Sequence, residues 1–457
     1  MGKEIYLGYS SELEPLRYPL GGSDAKHWLF LGYSGYGKTW TLRAMMEEIK
    51  RTYPKAMVIA MELKHDKTKA QDLGALYIKE LQRLGDPGKV DKLYPGLRQY
   101  VEKWDEDPRL GFIGDFAFSI PNYIAQAMRL WDSRETLLTW HGLKPEAFPV
   151  KRFVFAPRRS TEAILLDNSL GGYFGPDGDE PRLEVVNAKI PYRRLSFDDI
   201  SLISHIEKAT VYGRRIKNLW EYEGIKDPDR LLRRAYQMDL DNGRDPEKKP
   251  SATFLSIKEV AHMLKGTRYL SRDGNFFEEL SHDHINVLDF SRNSKLTLRD
   301  EVFIFSKLVE WLIEEYSGDE DVFLFLDEIQ NILRFDLGRE AVDKLLREGR
   351  SGGFHIMAST QYLHRLPRFL LYGSSNVAIV GRISSPDDYS LLSKFSRDFK
   401  RKVDPRLYIE DPETGARRRV KNWREYLIAR KREKGRGWVL LDREWVERIY
   451  YRPPQSL

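Results

Sequence analysis

Three glycines, a lysine and a threonine near the start of the sequence have a spacing that suits phosphate chemistry. The stretch GYSGYGKT contains Gly32, then four residues, then Gly37, Lys38 and Thr39. These glycines and Gly35 between them permit backbone turns that point N–H groups at phosphate oxygens. Lys38 is then expected to reach the β- and γ-phosphates of a nucleotide, and Thr39 to place its hydroxyl on Mg²⁺.

The elements around this loop suit the same chemistry. An apolar run, HWLFL, precedes the loop, and a helix is predicted over residues 38–51. The amino terminus of that helix adds partial positive charge where phosphates would lie. Trp40, directly after Thr39, joins the expected nucleotide-binding set, as does Tyr36. Tyr33 and Tyr36 fill variable positions, from which they could cap the nucleotide or face a neighbouring subunit.

An acidic pair that could complete the site follows a second apolar run. The segment VFLFLDE ends in Asp327 and Glu328. Asp327 is expected to hold Mg²⁺ through water, and Glu328 to orient and deprotonate the attacking water as a general base. The two motifs together predict an enzyme that hydrolyses ATP with Mg²⁺.

Composition bounds the class of protein. The chain has 457 residues, of which 41% are hydrophobic, enough for two or three domains or one large core with insertions. It has no cysteine, which excludes disulfides and thiolate zinc sites. The first residues lack the apolar core of a signal peptide, and no window reaches about 18 consecutive apolar residues. We therefore expect no membrane span and a cytoplasmic location, with recruitment to a membrane left to a partner.

Short apolar segments alternate with helical patterns along the chain. Strands are predicted at 27–31, 55–64, 150–157, 284–291, 321–328, 353–361 and 376–383. Helices are predicted at 38–51, 296–316 and 338–350, and mainly helical stretches at 68–148 and 195–280. Strands that alternate with helices favour an α/β fold with an open, mostly parallel sheet, on which the two helical stretches are insertions.

Positive charge is concentrated in one segment near the carboxyl end. Residues 397–436 contain fifteen Lys or Arg and seven Asp or Glu, in a chain of net charge +6. Such a segment suits contact with a phosphate backbone, and Arg417, Arg418, Arg419 and Lys421 are the candidate DNA-binding residues. The same residues could instead be a solvated basic loop or line a subunit interface.

The segment LLREGRSGGFHIMASTQ, which follows the acidic pair, resembles the HerA/FtsK superfamily of ring-forming, RecA-like motor ATPases. Other segments agree with that superfamily in order, among them the entry to the phosphate loop, VIAMELKHD, INVLDFS and VGRISSPDD. The resemblance implies that Gln361 senses the γ-phosphate. It also implies that Arg350 reaches the site of the neighbouring subunit, with Arg347 and Arg382 as alternatives.

The resemblance implies a RecA-like P-loop core in a homo-oligomeric ring, expected to be a hexamer. Such a motor would translocate double-stranded DNA in genome packaging, conjugation, DNA import or DNA processing, with a nuclease or a membrane channel as partner. We assign residues 1–67 to the core with the phosphate loop, 68–148 to a largely helical insertion and 149–194 to a core strand and link. Residues 195–280 form a helical subdomain, and 281–457 complete the core with the acidic strand, the sensor and the basic segment.

Two other functions fit the same residues. An ATPase with the same core could move or remodel protein in a secretion or pilus machine. A slow ATP-dependent switch is a second alternative, against which Glu328 argues, because a slow switch has no need of a dedicated base.

Overall fold

The computed structural model describes a defined part of the chain. This part comprises residues 3–10, 13–20, 26–32, 38–62, 86, 88–89, 143, 148–157, 183–290, 295–318, 320–349, 352–381, 383, 385–396, 398–399, 408–410, 417–419 and 436–452. The predicted insertion at 68–148 lies outside the described residues except at 86, 88–89, 143 and 148.

Sixteen strands occur in the described ranges. In chain order they are β1 Glu4–Ser10, β2 Pro15–Pro19, β3 Trp28–Leu31, β4 Met57–Glu62, β5 Val150–Phe155, β6 Leu183–Ala188, β7 Ile190–Pro191, β8 Leu270–Ser271, β9 Ile285–Asp289, β10 Val322–Leu326, β11 Phe354–Thr360, β12 Asn376–Val380, β13 Tyr408–Glu410, β14 Arg417–Arg419, β15 Arg436–Leu441 and β16 Trp445–Tyr451. All seven predicted strands are present, as β3, β4, β5, β9, β10, β11 and β12.

Twelve of these strands form one sheet, in the order β2-β1-β16-β15-β12-β3-β11-β10-β4-β9-β5-β6. From β12 to β6 every neighbouring pair is parallel. From β12 to β2 every pair is antiparallel. The predicted α/β class with a mostly parallel sheet is therefore confirmed. The antiparallel extension and the edge strand β6 were not predicted.

Nine α-helices occur in the described ranges. They are α1 Lys38–Thr52, α2 Phe197–Ser204, α3 Val211–Lys217, α4 Pro228–Asp241, α5 Ala252–Gly266, α6 Leu298–Glu314, α7 Asp336–Glu348, α8 Arg368–Gly373 and α9 Pro386–Phe395. The three individually predicted helices are α1, α6 and α7. The mainly helical stretch predicted at 195–280 contains α2 to α5.

Both faces of the sheet are covered, which is why its parallel strands are apolar throughout. Along β3, Leu29 and Leu31 face one core and Trp28 and Phe30 face the other, as the two-residue period of a strand requires. Helix α1 covers the Trp28 face, and α6 and α7 cover the Leu29 face.

Helices α2 to α5 attach to the core through packing and one buried ion pair. Phe276, which follows them, packs edge-on against Phe153 and Phe155 of β5, with ring centroids 5.5 and 4.9 Å apart. Lys307 of α6, whose side chain is 2% exposed, lies 2.6 Å from Asp199 of α2. That carboxylate also closes the capping box of α2, so the cap and the attachment depend on the same group.

Candidate nucleotide site

The phosphate-loop strand and the acidic strand end on the same edge of the sheet. Strand β11 lies between β3 and β10, so these two ends are separated by two strand positions, about 10 Å. Gly32, directly after β3, donates its N–H to the carbonyl of Thr360 at 3.2 Å. A Cβ atom on Gly32 would lie 2.9 Å from the carbonyl oxygen of Val380. The first glycine of the loop is therefore required by the close approach of β12.

Lys38 and Glu328 meet at this edge. Lys38 is the first residue of α1, and its Nζ donates to Glu328 Oε1 at 2.7 Å. The Lys38 side chain is 5% exposed and the Glu328 side chain 12% exposed. The structure thus brings together two residues that lie 290 positions apart in the sequence.

Thr39 and Asp327 form a second contact beside the first. Thr39 Oγ1 donates to Asp327 Oδ2 at 2.9 Å. The other oxygen, Oδ1, accepts hydrogen bonds from the hydroxyl of Ser359 and from the backbone N–H of Glu328, the latter at 3.1 Å. Ser359 also accepts from the Glu328 N–H at 3.0 Å. The buried hydroxyl of Ser359 thus fixes the carboxylate that faces Thr39.

The backbone at Glu328 turns the side chain toward Lys38. Its φ and ψ are 54° and 50°, the left-handed region, which non-glycine residues rarely adopt. Such a conformation costs about 1–3 kcal/mol and persists only where the surroundings enforce it. It occurs here directly after β10, next to the lysine that the side chain contacts.

Three side chains hold the Glu328 carboxylate. Besides Lys38, Gln330 donates to Oε2, and Gln361 Nε2 lies 3.4 Å from both oxygens. Burial raises the pKa of Glu328, but the Lys38 charge and the hydrogen bonds from Lys38, Gln330 and Gln361 outweigh it, so the pKa lies below its ordinary value. Glu328 is therefore ionised at neutral pH and able to accept a proton.

The side-chain oxygens of Thr39 and Asp327 suit a magnesium ion that phosphate oxygens bind as well. Within the described ranges there is no group of three or more His, Cys, Asp or Glu side chains that could hold a metal ion. Thr39 and Asp327 supply one hydroxyl and one carboxylate, which are hard oxygen donors. Mg²⁺ takes one or two protein oxygens together with phosphates and water, so these donors fit it.

The turn after Gln361 is fixed by residues that the sequence did not point to. Asp388 Oδ1, at the start of α9, accepts from the backbone N–H of His364 at 2.8 Å and lies 2.8 Å from the His364 ring Nδ1. Asp388 is fully buried. No motif signalled Ser359, Gln330 or this pair, although Ser359 directly precedes the Thr-Gln dipeptide.

Several predicted site residues lie outside the described part of the chain. They are Gly35, Tyr36, Gly37, Arg350 and Lys421, together with Tyr33 and the alternative Arg382. For Trp40 and for Arg417, Arg418 and Arg419 the backbone alone is described, the last three as β14 paired with β13. Arg347, the other alternative, is exposed on α7 and pairs with Asp343.

No protein-family model matches the chain, and no curated protein matches it. Among solved structures, the chain is similar to VirB4 of Thermoanaerobacter pseudethanolicus (12% identity, TM-score 0.40, covering 99% of this chain and 96% of that one). It is also similar to the bacterial conjugative coupling protein TrwBΔN70 (10% identity, TM-score 0.39, covering 94% and 87%).

A third similar structure is the genome packaging NTPase B204 from Sulfolobus turreted icosahedral virus 2, in complex with ATP-γ-S. It has 12% identity and a TM-score of 0.24, and the match covers 37% of this chain and 68% of that one. In the described ranges, no helix combines the length and the apolar character needed to cross a membrane.

Proposed function

We propose that the chain is an ATP-driven motor that moves double-stranded DNA. The observation that carries the ATPase part is the convergence of Lys38, Thr39, Asp327, Glu328 and Gln361 at one edge of the sheet. Hydrolysis of a phosphoanhydride needs a phosphate-binding lysine, a pair of magnesium ligands, a general base and a polar sensor.

Each side chain has a separate role in the proposed reaction. Lys38 binds the β- and γ-phosphates and the Glu328 carboxylate takes the proton of the attacking water. Gln361 contacts the γ-phosphate while it holds Glu328. Thr39, and Asp327 through water, would hold Mg²⁺, which would neutralise phosphate charge.

The remaining loop residues and a second subunit complete the proposed site. Gly35, Tyr36, Gly37 and Trp40 contact the nucleotide beside Gly32. Arg350 enters from a neighbouring copy of the chain, where a guanidinium stabilises the charge that spreads over the γ-phosphoryl oxygens. An arginine supplied in this way requires a homo-oligomer, which we propose to be a hexameric ring.

The DNA part of the proposal is supported by the resemblance of the sequence to translocating motors and by the basic segment at 397–436. Arg417, Arg418, Arg419 and Lys421 would contact phosphates without reading bases, so that the motor moves along any sequence. Binding should then weaken steeply as salt rises. We propose a cytoplasmic location, with a nuclease or a membrane channel as partner.

Steady-state ATP hydrolysis, with and without long double-stranded DNA at low salt, tests this proposal. Strong stimulation by DNA that is absent in Glu328→Gln is the expected result. A different outcome is hydrolysis that is abolished in Glu328→Gln but unchanged by DNA. The chain would then be an ATPase, and the DNA motor would be rejected in favour of a motor that moves protein. Hydrolysis at a very low rate in both conditions would instead indicate a slow ATP-dependent switch.

A further inference from the structure

A cavity lies on the carboxyl edge of the sheet, apart from the candidate nucleotide site. Its volume is about 320 Å³, and its lining comes from the end of β5, the ends of α2 and α5, and the start of α6. Strand β5 is three positions beyond β10 in the sheet, about 14 Å away. In open α/β sheets this edge is where ligands bind.

Three cationic side chains, Arg268, Lys295 and Arg299, line the cavity. All three are exposed, and their side chains form no ion pair or hydrogen bond with any residue in the described ranges. The cations on either side of Arg268 differ in this respect. Lys265 pairs with Asp229 and Arg272 with Asp227, each at 2.7 Å, and neither of them lines the cavity.

The one carboxylate in the described lining, Asp300, offsets only part of the charge of these three cations, and its oxygens are oriented by other groups. Asp300 Oδ2 accepts from the backbone N–H of Thr297 at 2.8 Å and from its hydroxyl at 2.7 Å. Asp300 Oδ1 accepts from the Tyr269 hydroxyl at 3.1 Å. The cavity therefore keeps an excess of positive charge, which attracts an anion.

The rest of the lining is apolar enough to accept an organic group. Leu202, Ile203, Leu296, Tyr269 and Phe303 contribute to it. Tyr269 is 6% exposed and Phe303 2% exposed. These apolar side chains form a floor beside the polar groups, and the volume of the cavity lies at the lower end of the range of small-molecule sites, which begins at about 300 Å³.

We propose that this cavity binds an organic phosphate of nucleotide size, with its phosphate between Arg268, Lys295 and Arg299 and its base against the apolar floor. A free nucleotide and one nucleotide unit of a nucleic acid carry the same two groups, so the chemistry of binding is shared and the source is decided by experiment. The proposal does not depend on hydrolysis at the site of Lys38.

Calorimetric titration of the full chain tests the proposal, with Lys38→Ala in every sample to remove the phosphate-loop lysine. The probes are ADP and, separately, a short oligodeoxythymidylate at low salt. One variant carries Arg268→Ala, Lys295→Ala and Arg299→Ala.

The matched control removes the same number of arginines and lysines from exposed positions outside the cavity. It carries Arg233→Ala, Arg244→Ala and Lys258→Ala, all within the helical subdomain. A second cavity variant carries Arg268→Gln, Lys295→Gln and Arg299→Gln. It replaces the alanine variant in the titrations if that variant does not fold.

The cavity variants should bind at least one probe at least about tenfold more weakly than the control variant, since a single lost hydrogen bond to a charged group contributes about that factor. Loss confined to ADP assigns the site to a free nucleotide, and loss of the oligonucleotide assigns it to nucleic acid. Equal binding of both probes by the cavity and control variants would overturn the proposal. The three cations would then only complement the carboxyl ends of α2 and α5.

Discussion

Lys38 and Glu328 form a buried ion pair, with 2.7 Å between Lys38 Nζ and Glu328 Oε1. The group proposed to bind phosphate and the group proposed to activate water therefore neutralise each other. A phosphate that takes Lys38 removes the strongest partner of the Glu328 carboxylate and makes that carboxylate a better proton acceptor. On the proposed function, nucleotide binding would itself activate the base.

Replacing Glu328 with glutamine should reduce the loss of stability in acid. The pKa of Glu328 lies below its ordinary value of 4.5, because the Lys38 charge and the hydrogen bonds to Glu328 outweigh burial. A carboxyl group with a lowered pKa stabilises the fold above its unfolded pKa, and this contribution is lost as pH falls through the folded pKa. Urea unfolding between neutral pH and about pH 3 should therefore show a steeper decline for the native chain than for Glu328→Gln. Parallel profiles would contradict the lowered pKa.

Ser359→Ala should loosen the proposed magnesium ligand. The hydroxyl is buried and contacts both Asp327 and the Glu328 N–H, so its loss leaves buried polar groups with fewer partners, at a cost of about 1–3 kcal/mol. Urea unfolding measures that cost, and the Mg²⁺ concentration needed for half-maximal hydrolysis should rise.

Ser306→Ala is the control for Ser359→Ala. Ser306 is also buried, at 3% exposure, but its hydroxyl donates to the Phe303 carbonyl within α6. This variant should leave the Mg²⁺ requirement unchanged. An unchanged requirement in Ser359→Ala as well would show that Ser359 does not position Asp327.

His364→Ala should slow hydrolysis without weakening nucleotide binding. His364 and the buried Asp388 anchor the turn that begins at Gln361, and a small displacement of a catalytic group lowers rates strongly. We expect kcat to fall about tenfold while KM stays within about twofold. His262→Ala, an exposed position on α5, should change neither. A rise in KM with kcat unchanged would assign His364 to substrate binding instead.

The central sheet was predictable because its strands are short runs of apolar residues, as burial on both faces requires. FLFL before the acidic pair and IMA before Ser359 are examples. Helix α6 was also predictable, since an amphipathic pattern follows Thr297, which caps it together with Asp300. The two motifs predicted that Lys38 and Glu328 belong to one site, but not that the two side chains form an ion pair.

The antiparallel strands were not predictable, for two physical reasons. Strand β2 is short, begins and ends with proline, and buries Leu16 and Tyr18 alone, so its pattern is weak. Strand β1 pairs with β16, which lies at the other end of the sequence, and local periodicity carries no sign of such a partner. The left-handed turn at Glu328 was equally hidden, because it is imposed by the surrounding contacts.

Glu301→Gln should make the free energy of unfolding depend less on pH at alkaline pH. Burial, with a smaller effect from the negative charge of Asp300, raises the pKa of Glu301 to about 9. The folded chain therefore keeps a proton that the unfolded chain releases near pH 4.5. The stability from this proton is fully present below the unfolded pKa and is lost as pH rises through the folded pKa.

Urea unfolding of Glu301→Gln and the native chain between about pH 5 and pH 9 measures this effect. The native chain should lose stability relative to the variant across that interval, because glutamine has no proton to release. Glu259→Gln, an exposed position on α5, should follow the native profile. If the profile of Glu301→Gln also matched that of the native chain, Glu301 would be ionised in the fold. Its charge at the start of α6, next to the cavity, would then offset part of the cations Lys295 and Arg299, and the phosphate proposed there would bind more weakly.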